Sequence, residues 1–476
     1  MIKKRGKRLK KVIDLTPLNT EQKQAFDSLV EYIQDGSDDS IYVLKGWAGT
    51  GKTFCISLLV KYVLELLYPN KAFYKIAVTG PTNKSVRVIK QATGIRNQRV
   101  SFQTIHKLLG LKEKITLDGK QEFVAEGDFK PSISAVRLLI IDEVSMLNDE
   151  LFHKILNYRG KLKVICMGDP AQIPPVGRPD CIPFREELAD AYRIKTISLK
   201  RVMRQNLGNP IIDASVTIRK NLGSPKSLVD PITSLSESGE GIEFLNLNNP
   251  ETRQRFSGIL EGYFKTEEFK KDSEYSKVIA WRNKTVDSMN ALIRKVIYGE
   301  EALTSKILPG EKLIANTPIV QDGAILLNTN SEFTVQSYEI KEDLIKESMF
   351  QIKLKHYEAK VGYYDDDDER CIAYIDILHE SSQDDFKKAA ELLKQDAISK
   401  RGKDKSWIKY YDFLRLYADV KYNYSISCHK SQGSTYKFVF LLEDDIDVNT
   451  DVIERNRIKY TAYTRASKKV YILKRF

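Results

Sequence analysis

A glycine-rich run at residues 46–53 has the most specific chemistry in this sequence. It reads Gly46, Trp47, Ala48, Gly49, Thr50, Gly51, Lys52 and Thr53, the pattern of a phosphate-binding loop. Its glycines let backbone N–H groups turn toward phosphate oxygens, and a helix that starts at Lys52 adds the positive end of its dipole. In this pattern Lys52 bridges the β and γ phosphates and Thr53 ligates magnesium. The run predicts a site for ATP and Mg²⁺; the alternative is a glycine-rich turn that binds nothing.

Two carboxylates, Asp142 and Glu143, directly follow the apolar run at residues 138–141. Acidic residues at a strand end are common, so the pair alone has little meaning. At about 90 residues after a phosphate loop, however, the pair supplies the complementary half of such a site. We predict that Asp142 holds magnesium and that Glu143 polarises the attacking water, with Lys52 as their catalytic partner.

A third apolar run, at residues 164–167, is followed by a segment with the sequence Gly-Asp-Pro-Ala-Gln-Ile-Pro-Pro at residues 168–175. Its amide side chain, Gln172, is predicted to sense the γ-phosphate and to act in catalysis. The alternative interpretation is an ordinary proline-rich turn.

The elements that must position these residues form a repeating pattern. Buried strands are predicted at residues 41–44, 76–78, 138–141, 164–167, 278–281, 438–442 and 470–473. Helical periodicity separates several of them, as at residues 54–67 and 83–91, and this alternation predicts an α/β fold with two doubly wound parallel sheets. Open parallel sheets bind ligands at the carboxyl ends of their strands, where the polar clusters of this sequence lie.

Two insertions interrupt the pattern. Residues 108–134 contain an alternating stretch around Asp118 and Gly119, which predicts a small β-hairpin module. Residues 301–420 contain short strand-like runs, helical patterns at 385–399 and 407–419, and an acidic run at 365–369 that we interpret as a solvated loop. This second insertion predicts an accessory domain.

Composition excludes several classes of protein. The net charge of the 476 residues is +12, but residues 3–11 alone carry seven basic side chains, so most of the excess is a tail at residues 1–14. That tail is interpreted as a solvated arm, with added phosphate contacts as the alternative. The five scattered cysteines form no Cys-x-x-Cys pair, which favours neither a disulfide framework nor a zinc site. No apolar run approaches the ~20 residues that cross a bilayer, so we expect a cytoplasmic protein without membrane contact.

Further motifs stand in a fixed order along the chain. They are residues 18–26 (LNTEQKQAF), 80–84 (GPTNK), 104–106 (TIH), 202–206 (VMRQN), 429–433 (HKSQG) and 460–466 (YTAYTRA). Together with the motifs above, this series resembles the superfamily 1 helicases. The GDPxQxPP and HKxQG forms are similar to those of the RecD-like 5′-to-3′ branch, and most similar to the Dda-like bacteriophage helicases within it.

The resemblance covers residues 15–476 and implies two RecA-like P-loop NTPase domains. It places the first at residues 15–198, with the hairpin module at 108–134 inserted in it, and the second at residues 199–300 and 421–476. It implies that residues 301–420 form a Src-homology-3-like β-barrel with a helical extension.

The resemblance also implies roles for residues around the nucleotide. Gln22 is assigned to adenine recognition, and Gln432 and Gly433 to nucleotide binding. Arg204 and Arg465 are assigned to the γ-phosphate from the second lobe, which would make hydrolysis depend on lobe closure. The alternative for either arginine is a surface ion pair.

A last set of implied roles concerns nucleic acid. Backbone contacts with a single strand are assigned to Pro81, Thr82, Asn83, His106, Asn283, His429 and Lys430, because small polar groups and a cation hold phosphates without reading sequence. For the two histidines a structural role is the alternative. Trp281 either stacks on a base or packs in the core. Phe123 either separates the strands of a duplex as a wedge or packs the hairpin module.

The resemblance thus implies an ATP-dependent DNA helicase that translocates 5′ to 3′ and unwinds duplex. Its expected partners are single-stranded and tailed duplex DNA, with single-strand-binding protein or replisome components beyond them, and we expect a monomer. Two alternatives stay open: a single-strand translocase that displaces bound proteins with little unwinding, and a non-motor ATPase whose nucleotide state times its release. The motifs leave the choice between DNA and RNA open.

Overall fold

The computed structural model describes residues 13–69, 71–116, 118, 120–125, 131–175, 177–178, 180–203, 209–226, 228–321, 324–365, 369–401 and 403–474. The chain divides into two compact units. The first is Met1–Gly110 with Gly127–Leu207, and the second is Leu111–Glu126 with Gly208–Phe476. Within the described ranges, no helix has the length and apolar character needed to span a bilayer.

The first unit is built on a six-stranded sheet in which every strand pair is parallel, in the order β3-β2-β6-β7-β1-β8. The elements of the chain up to residue 203 are α1 (Thr20–Gln34), β1 (Ile41–Gly46), α2 (Lys52–Tyr62), β2 (Lys75–Gly80), α3 (Asn83–Thr93), β3 (Val100–Thr104), α4 (Ile105–Leu108), β4 (Leu111–Ile115), β5 (Gln121–Ala125), β6 (Val136–Ile141), α5 (Asp149–Leu156), β7 (Lys163–Gly168), α6 (Ala189–Tyr192) and β8 (Ile194–Leu199). Of these, the antiparallel pair β4 and β5 belongs to the second unit.

Apolar side chains on both faces hold this sheet in the middle of the unit. Leu44 and Ile140 on one face and Val43 and Leu139 on the other are fully buried, as expected for a parallel sheet covered by helices on both sides. Helix α1 starts with a capping box, because Asn19 accepts a bond from the N–H of Gln22 and Gln22 accepts one from the N–H of Asn19. The α/β fold with a parallel sheet predicted from the sequence is confirmed here.

The second unit contains a second six-stranded sheet, in the order β19-β11-β20-β21-β10-β9, parallel except for the short edge strand β9. The elements of residues 209–474 are α7 (Pro210–Lys220), β9 (Ser234–Leu235), β10 (Gly241–Asn246), α8 (Pro250–Phe264), α9 (Glu267–Lys271), β11 (Ser276–Ala280), α10 (Asn283–Tyr298), β12 (Lys312–Ala315), β13 (Ile319–Gln321), β14 (Ala324–Leu327), β15 (Glu332–Glu347), β16 (Phe350–Tyr364), β17 (Arg370–Leu378), α11 (Gln383–Ser399), α12 (Ser406–Leu414), β18 (Val420–Tyr422), β19 (Ser425–Ser427), α13 (Cys428–Ser431), β20 (Tyr436–Leu442), α14 (Glu443–Asp447), α15 (Val452–Tyr463) and β21 (Ala466–Lys474).

An antiparallel sheet, ordered β17-β16-β15-β12-β18, lies between β11 and β19 in the chain. It is joined to the parallel sheet through a buried ion pair: Arg294 on α10 contacts Glu311 at 2.5 Å, and both are almost fully buried. Asn290 on the same helix bonds the backbone of Tyr424 and Ser425 at the start of β19. These buried bonds join the two sheets into one unit.

Some element boundaries differ from those predicted. Strand β11 ends at Ala280, so Trp281 lies in the following turn. The helix predicted at 54–67 is α2 to Tyr62 and then a π-helical turn over Val63–Leu67. The helix predicted at 407–419 ends at Leu414, because the backbone near residue 418 bonds to strands: the N–H of Ala418 donates to the carbonyl of Asp376.

Candidate nucleotide site and nucleic-acid edges

The phosphate loop follows β1 and leads into α2, as the sequence predicts. Gly49 and Gly51 have φ values of 79° and 78°, a conformation that favours glycine. A Cβ on Gly46 would lie 2.8 Å from Cγ of Lys52, so this position also has no room for a side chain. The N-cap of α2 is Gly51, and no side chain among the described residues caps the helix. Its first N–H groups are therefore oriented as an anion site requires.

Lys52 lies across this loop. Its Nζ donates to the carbonyls of Gly46 at 2.7 Å and Trp47 at 3.1 Å, and the Thr50 hydroxyl also donates to Trp47 at 2.9 Å. The ammonium group is thus held at the mouth of the loop by bonds that a phosphate oxygen can replace. Ala48, Gly49 and Thr53 are partly exposed beside it.

Gln22 reaches the same loop from α1. It is almost fully buried, and its Nε2 donates to the carbonyl of Thr50 at 2.9 Å while Oε1 accepts from the N–H of Asn19 at 3.1 Å. A Cβ on Gly51 would lie 2.5 Å from this Nε2. The side chain therefore braces the loop, and only its second amide hydrogen is left for the predicted adenine contact.

The two carboxylates follow β6, two strands away from β1 in the sheet. Desolvation, with a further contribution from the charge of Glu143, raises the pKa of Asp142 to about 7, and Lys52 partly offsets this rise. The Asp142 Oδ1 accepts the N–H of Glu143 at 2.9 Å, and Glu143 itself has a left-handed backbone with φ of 49°. Such backbone strain is concentrated at functional sites. A cation near Asp142 would favour its charged form.

Gln172 lies after β7, the strand between β6 and β1. It is 3% exposed, and its Oε1 has no hydrogen-bond partner among the described residues. The preceding turn is rigid, because buried Asp169 accepts the N–H of Ala171 at 3.0 Å and a Cβ on Gly168 would lie 3.1 Å from Val144. The Oε1 of Gln172 can accept a hydrogen bond, and the role of this residue at the γ-phosphate stays a prediction.

The groups that could hold magnesium fit a hard cation. Thr53 offers a hydroxyl from the first turn of α2. Asp142 offers a carboxylate after β6, at the same edge of the sheet. Mg²⁺ binds oxygen ligands and usually keeps several waters, with one or two protein ligands beside the substrate phosphates. This donor set therefore suits Mg²⁺ together with a nucleoside triphosphate.

Arg465 belongs to the second unit, where it is buried rather than part of a surface ion pair. Its Nε donates to the carbonyl of Thr461 at 3.0 Å, and its guanidinium also donates to the carbonyls of Ser431 and Ser434 at 3.5 and 3.1 Å. These two carbonyls flank Gln432 and Gly433, the residues predicted to contact nucleotide. The fold thus brings the two motifs together.

Of the other residues predicted at the nucleotide site, Arg204 lies outside the described residues. Gln432 is buried, whereas Gly433, with φ of 74°, takes a left-handed conformation in the turn after α13.

The first unit carries a polar edge at the carboxyl ends of β2 and β3. These strands pair in parallel so that Gly80 lies opposite Thr104, which places residues 81–83 beside the short helix α4 that contains His106. Thr82 caps α3 by accepting the N–H of Ser85 at 3.1 Å, and Pro81, Thr82 and Asn83 are partly exposed. Burial lowers the pKa of His106, so the ring is neutral at pH 7 and can only donate or accept hydrogen bonds.

The second unit has the corresponding edge at the ends of β11 and β19. Ala280 lies opposite Ser427, which places exposed Asn283 near partly exposed His429 and exposed Lys430. Burial lowers the pKa of His429. The pKa of Lys430 is lowered by partial desolvation of its ammonium group and by the charge of nearby Lys421.

Phe123 lies on the hairpin of β4 and β5, but not at the tip of the hairpin. Phe123 pairs with Glu113, two residue pairs before the end of the ladder, and its side chain is 49% exposed. The ring is therefore accessible from solvent, but the strand connection lies at residues 116–120 rather than next to it.

Sequence reasoning missed two residues of the second edge. Asp445 on α14 bonds the segment that contains Trp281, and Asn316 after β12 accepts a 3.4 Å bond from Nζ of Lys430. Neither residue stands in a motif, and each comes from a distant part of the chain. The available signal for the first was the acidic run at residues 443–445, which follows the apolar run of β20.

A phosphate loop, a strand-terminal Asp-Glu pair and a buried glutamine at one edge of a parallel sheet define a P-loop nucleoside triphosphatase. Residues 17–231 match the family described as AAA domain, and residues 422–473 match the UvrD-like helicase C-terminal domain. The protein R530 of Acanthamoeba polyphaga mimivirus is 27% identical over 95% of this chain and 99% of its own length. The ATP-dependent DNA helicase dda of Enterobacteria phage T4 is 24% identical over 95% and 98%.

Among solved structures, the Pif1 helicase from Candida albicans covers 97% of this chain and 95% of its own, with 16% identity and a TM-score of 0.47. The relatives named as DNA helicases agree with the resemblance that the motifs show to the RecD-like branch of superfamily 1.

Proposed function

We propose that this protein is an ATP-dependent DNA helicase that translocates 5′ to 3′ on single-stranded DNA and unwinds duplex. The observation that carries the proposal is one sheet edge in the first unit. It holds the ATP groups after β1, β6 and β7 and the polar turns after β2 and β3. A second parallel sheet repeats the polar turns after β11 and β19.

In the proposed reaction, Lys52 leaves the loop carbonyls and binds the β and γ phosphates. Glu143 orients and polarises the attacking water, and the free oxygen of Gln172 accepts a hydrogen bond from that water or a donor beside it. Thr53 and Asp142 would hold Mg²⁺, which would neutralise charge on the phosphate oxygens when bound. Arg204 and Arg465 keep their predicted role at the γ-phosphate.

The polar turns are proposed to hold the backbone of a single strand. Thr82 and Asn83 in one unit and Asn283 and Lys430 in the other offer hydrogen bonds and charge without a surface that reads bases. Neutral His106 and His429 add hydrogen bonds that salt does not screen. The relatives named as DNA helicases favour DNA over RNA as the polymer.

We further infer that residues 301–420 form an accessory domain whose core is a Src-homology-3-like barrel. Its support is the antiparallel sheet, in which Val335, Tyr357 and Ile377 are buried on one face. The other predicted boundaries, at residues 14, 198, 300 and 421, are part of the same proposal. Phe123 on the hairpin is proposed as the wedge.

As partners we propose single-stranded and tailed duplex DNA, with single-strand-binding protein or replisome components as further candidates. We propose that the protein acts as a monomer in the cytoplasm.

The test is unwinding of 5′-tailed, 3′-tailed and blunt duplexes by wild type and Lys52→Ala, with Lys61→Ala on the same helix as the matched control. We expect unwinding of the 5′-tailed duplex alone, its loss in Lys52→Ala, and its retention in Lys61→Ala. Preferred unwinding of the 3′-tailed duplex would contradict the polarity.

Two other outcomes separate the alternatives. Movement along single strands without strand separation identifies a translocase that clears bound proteins. ATP turnover that is indifferent to single-stranded DNA identifies a nucleotide-timed binding module instead of a motor.

A further inference from the structure

A buried carboxylate holds the start of the nucleic-acid edge in the second unit. Asp445 on α14 is 4% exposed. Its Oδ2 accepts the backbone N–H groups of Trp281 and Arg282, each at 2.8 Å. Its Oδ1 accepts Nε of Arg282 at 2.7 Å and the hydroxyl of Thr285 at 2.6 Å. Four donors from five consecutive residues therefore converge on one side chain.

These bonds fix the residues that lead into α10. Its N-cap is Arg282, which makes no capping bond with its own side chain in the described structure. Asp445 accepts the backbone N–H groups of Trp281 and of this N-cap, and it also accepts the hydroxyl of Thr285 in the first turn of the helix. The turn between β11 and α10 is therefore bonded to α14 on both sides of the helix start.

A comparison of the two units indicates what this turn does. Residues 83–86 read Asn-Lys-Ser-Val and residues 283–286 read Asn-Lys-Thr-Val, and each run opens a helix directly after a parallel strand. In the first unit the hydroxyl of Ser85 donates to the carbonyl of Thr82 at 2.8 Å. In the second unit the hydroxyl of Thr285, at the equivalent position, donates to Asp445. The same element is thus held in place by different means.

The neighbouring strands repeat as well. Thr104 and Ser427 each cap a four-residue helix by accepting the N–H of the lysine three positions on, and each helix has the order x-His-Lys at its start. The two edges therefore share a sequence pattern and, at the four-residue helices, the same capping bond.

We propose that Asp445 is a positioning residue of the second nucleic-acid edge: it fixes the turn at residues 281–283 so that Asn283 and Lys284 bind phosphates of a single strand. The inference rests on the proposed function, because it assigns this edge to a polyanion. It adds Lys284 to the binding residues and gives Asp445 a role that acts through the turn rather than by contact with the strand.

The negative charge of Asp445 is compatible with a binding site for a polyanion. Asp445 is shielded from solvent, and the guanidinium of Arg282 pairs with it at 2.7 Å. Its hydrogen bonds keep its pKa below the ordinary value, so it stays charged at neutral pH. Replacement by asparagine keeps the shape but turns one acceptor oxygen into an amide donor, which faces donors of the turn.

The test is binding of a fluorescently labelled oligothymidylate, and single-strand-stimulated ATP turnover, by the full chain as wild type, Asp445→Asn and Thr285→Val. Asp444→Asn removes the same charge from the same helix and serves as the matched control. For Asp445→Asn we expect the half-saturating strand concentration to rise about tenfold, the scale of one lost charge-assisted bond. The rate of ATP turnover by Asp445→Asn at saturating strand should be retained. Thr285→Val should show a smaller rise in the half-saturating strand concentration, and Thr285→Ser should show none.

The outcomes are separable. If wild type does not bind the strand, the proposed function and this inference both fail. If wild type binds and Asp445→Asn and Thr285→Val bind equally well, only the positioning role is overturned. A fall in turnover at saturating strand together with a lower melting temperature, without a change in half-saturation, identifies a merely structural residue and also overturns it.

Discussion

The side chain of Gln22 donates a hydrogen bond of 2.9 Å to the backbone carbonyl of Thr50, which joins the first helix of the chain to the phosphate loop. The same amide accepts the N–H of Asn19 and so completes the cap of α1. Because the bond to Thr50 is buried, a change at the N-terminal end of α1 should affect the loop.

Gln22→Leu separates the two roles of this residue, since leucine fills a similar volume without either bond. Loss of the brace should raise KM for ATP about tenfold, the scale of one buried hydrogen bond. The geometry predicts an equal rise for GTP. A rise confined to ATP would show instead that adenine recognition dominates.

Gly51→Ala should disrupt the loop. The left-handed backbone costs a residue with a Cβ about 1–2 kcal/mol, and the added Cβ would lie 2.5 Å from Nε2 of Gln22. We expect both a lower melting temperature and loss of ATP binding. Gly94→Ala is the control, because its φ of 60° carries the same backbone cost while nothing lies within 4 Å of its Cβ. Equal ATP binding by the two variants would contradict the proposed role of Gly51 in the phosphate loop.

Gln172→Leu should make the protein more stable and less active. Its buried Oε1 lacks a partner in the described structure, and such a group costs about 1–3 kcal/mol. Leucine removes that cost, so the melting temperature should rise by about 2–4 °C per kcal/mol recovered. ATP turnover should fall about a hundredfold, the scale of one lost polar group at a charged transition state. A lower melting temperature with normal turnover would mean that the amide serves structure.

Phe123→Ala should leave DNA-stimulated ATP turnover intact and slow strand separation several-fold, because a 49% exposed ring can stack against an opening base pair. The measurement compares rates of unwinding and of turnover on the same 5′-tailed duplex. Phe73→Ala, which removes a ring that is 65% exposed in the first unit, is the control. Equal rates of unwinding by Phe123→Ala and wild type would contradict the proposed role of Phe123 as a wedge.

The affinity for single strands should be flat from neutral to mildly alkaline pH. Burial holds the pKa of His429 below its ordinary value of 6.5, and nearby Glu454 only partly opposes this. The ring is therefore neutral at pH 7 and gains its charge, with tighter binding of a polyanion, only as the pH falls further. Binding titrations at constant ionic strength check this. A loss of affinity centred at pH 7 that His429→Gln abolishes would contradict it.

The sequence predicted the central strands well, for reasons visible in particular residues. In β6 the buried residues 138–141 form a continuous apolar run, which ends at the charged pair Asp142 and Glu143. The phosphate loop depends on glycines and on Lys52 within eight consecutive residues, so its geometry is local. Helix ends were less certain, because α12 ends where its continuation bonds to a strand of the accessory sheet.

By itself, then, the sequence determined the phosphate loop, the strand-terminal carboxylates, the order of the motifs and the alternation of strands and helices, because each is set by residues close together in the chain. Only the tertiary structure decided that Gln22 braces the loop, that Arg465 is buried among carbonyls, and that Asp445 holds a turn about 160 residues away. Such contacts depend on which strands become neighbours in a sheet. That choice is made by burial over the whole unit, and no local pattern of residue types records it.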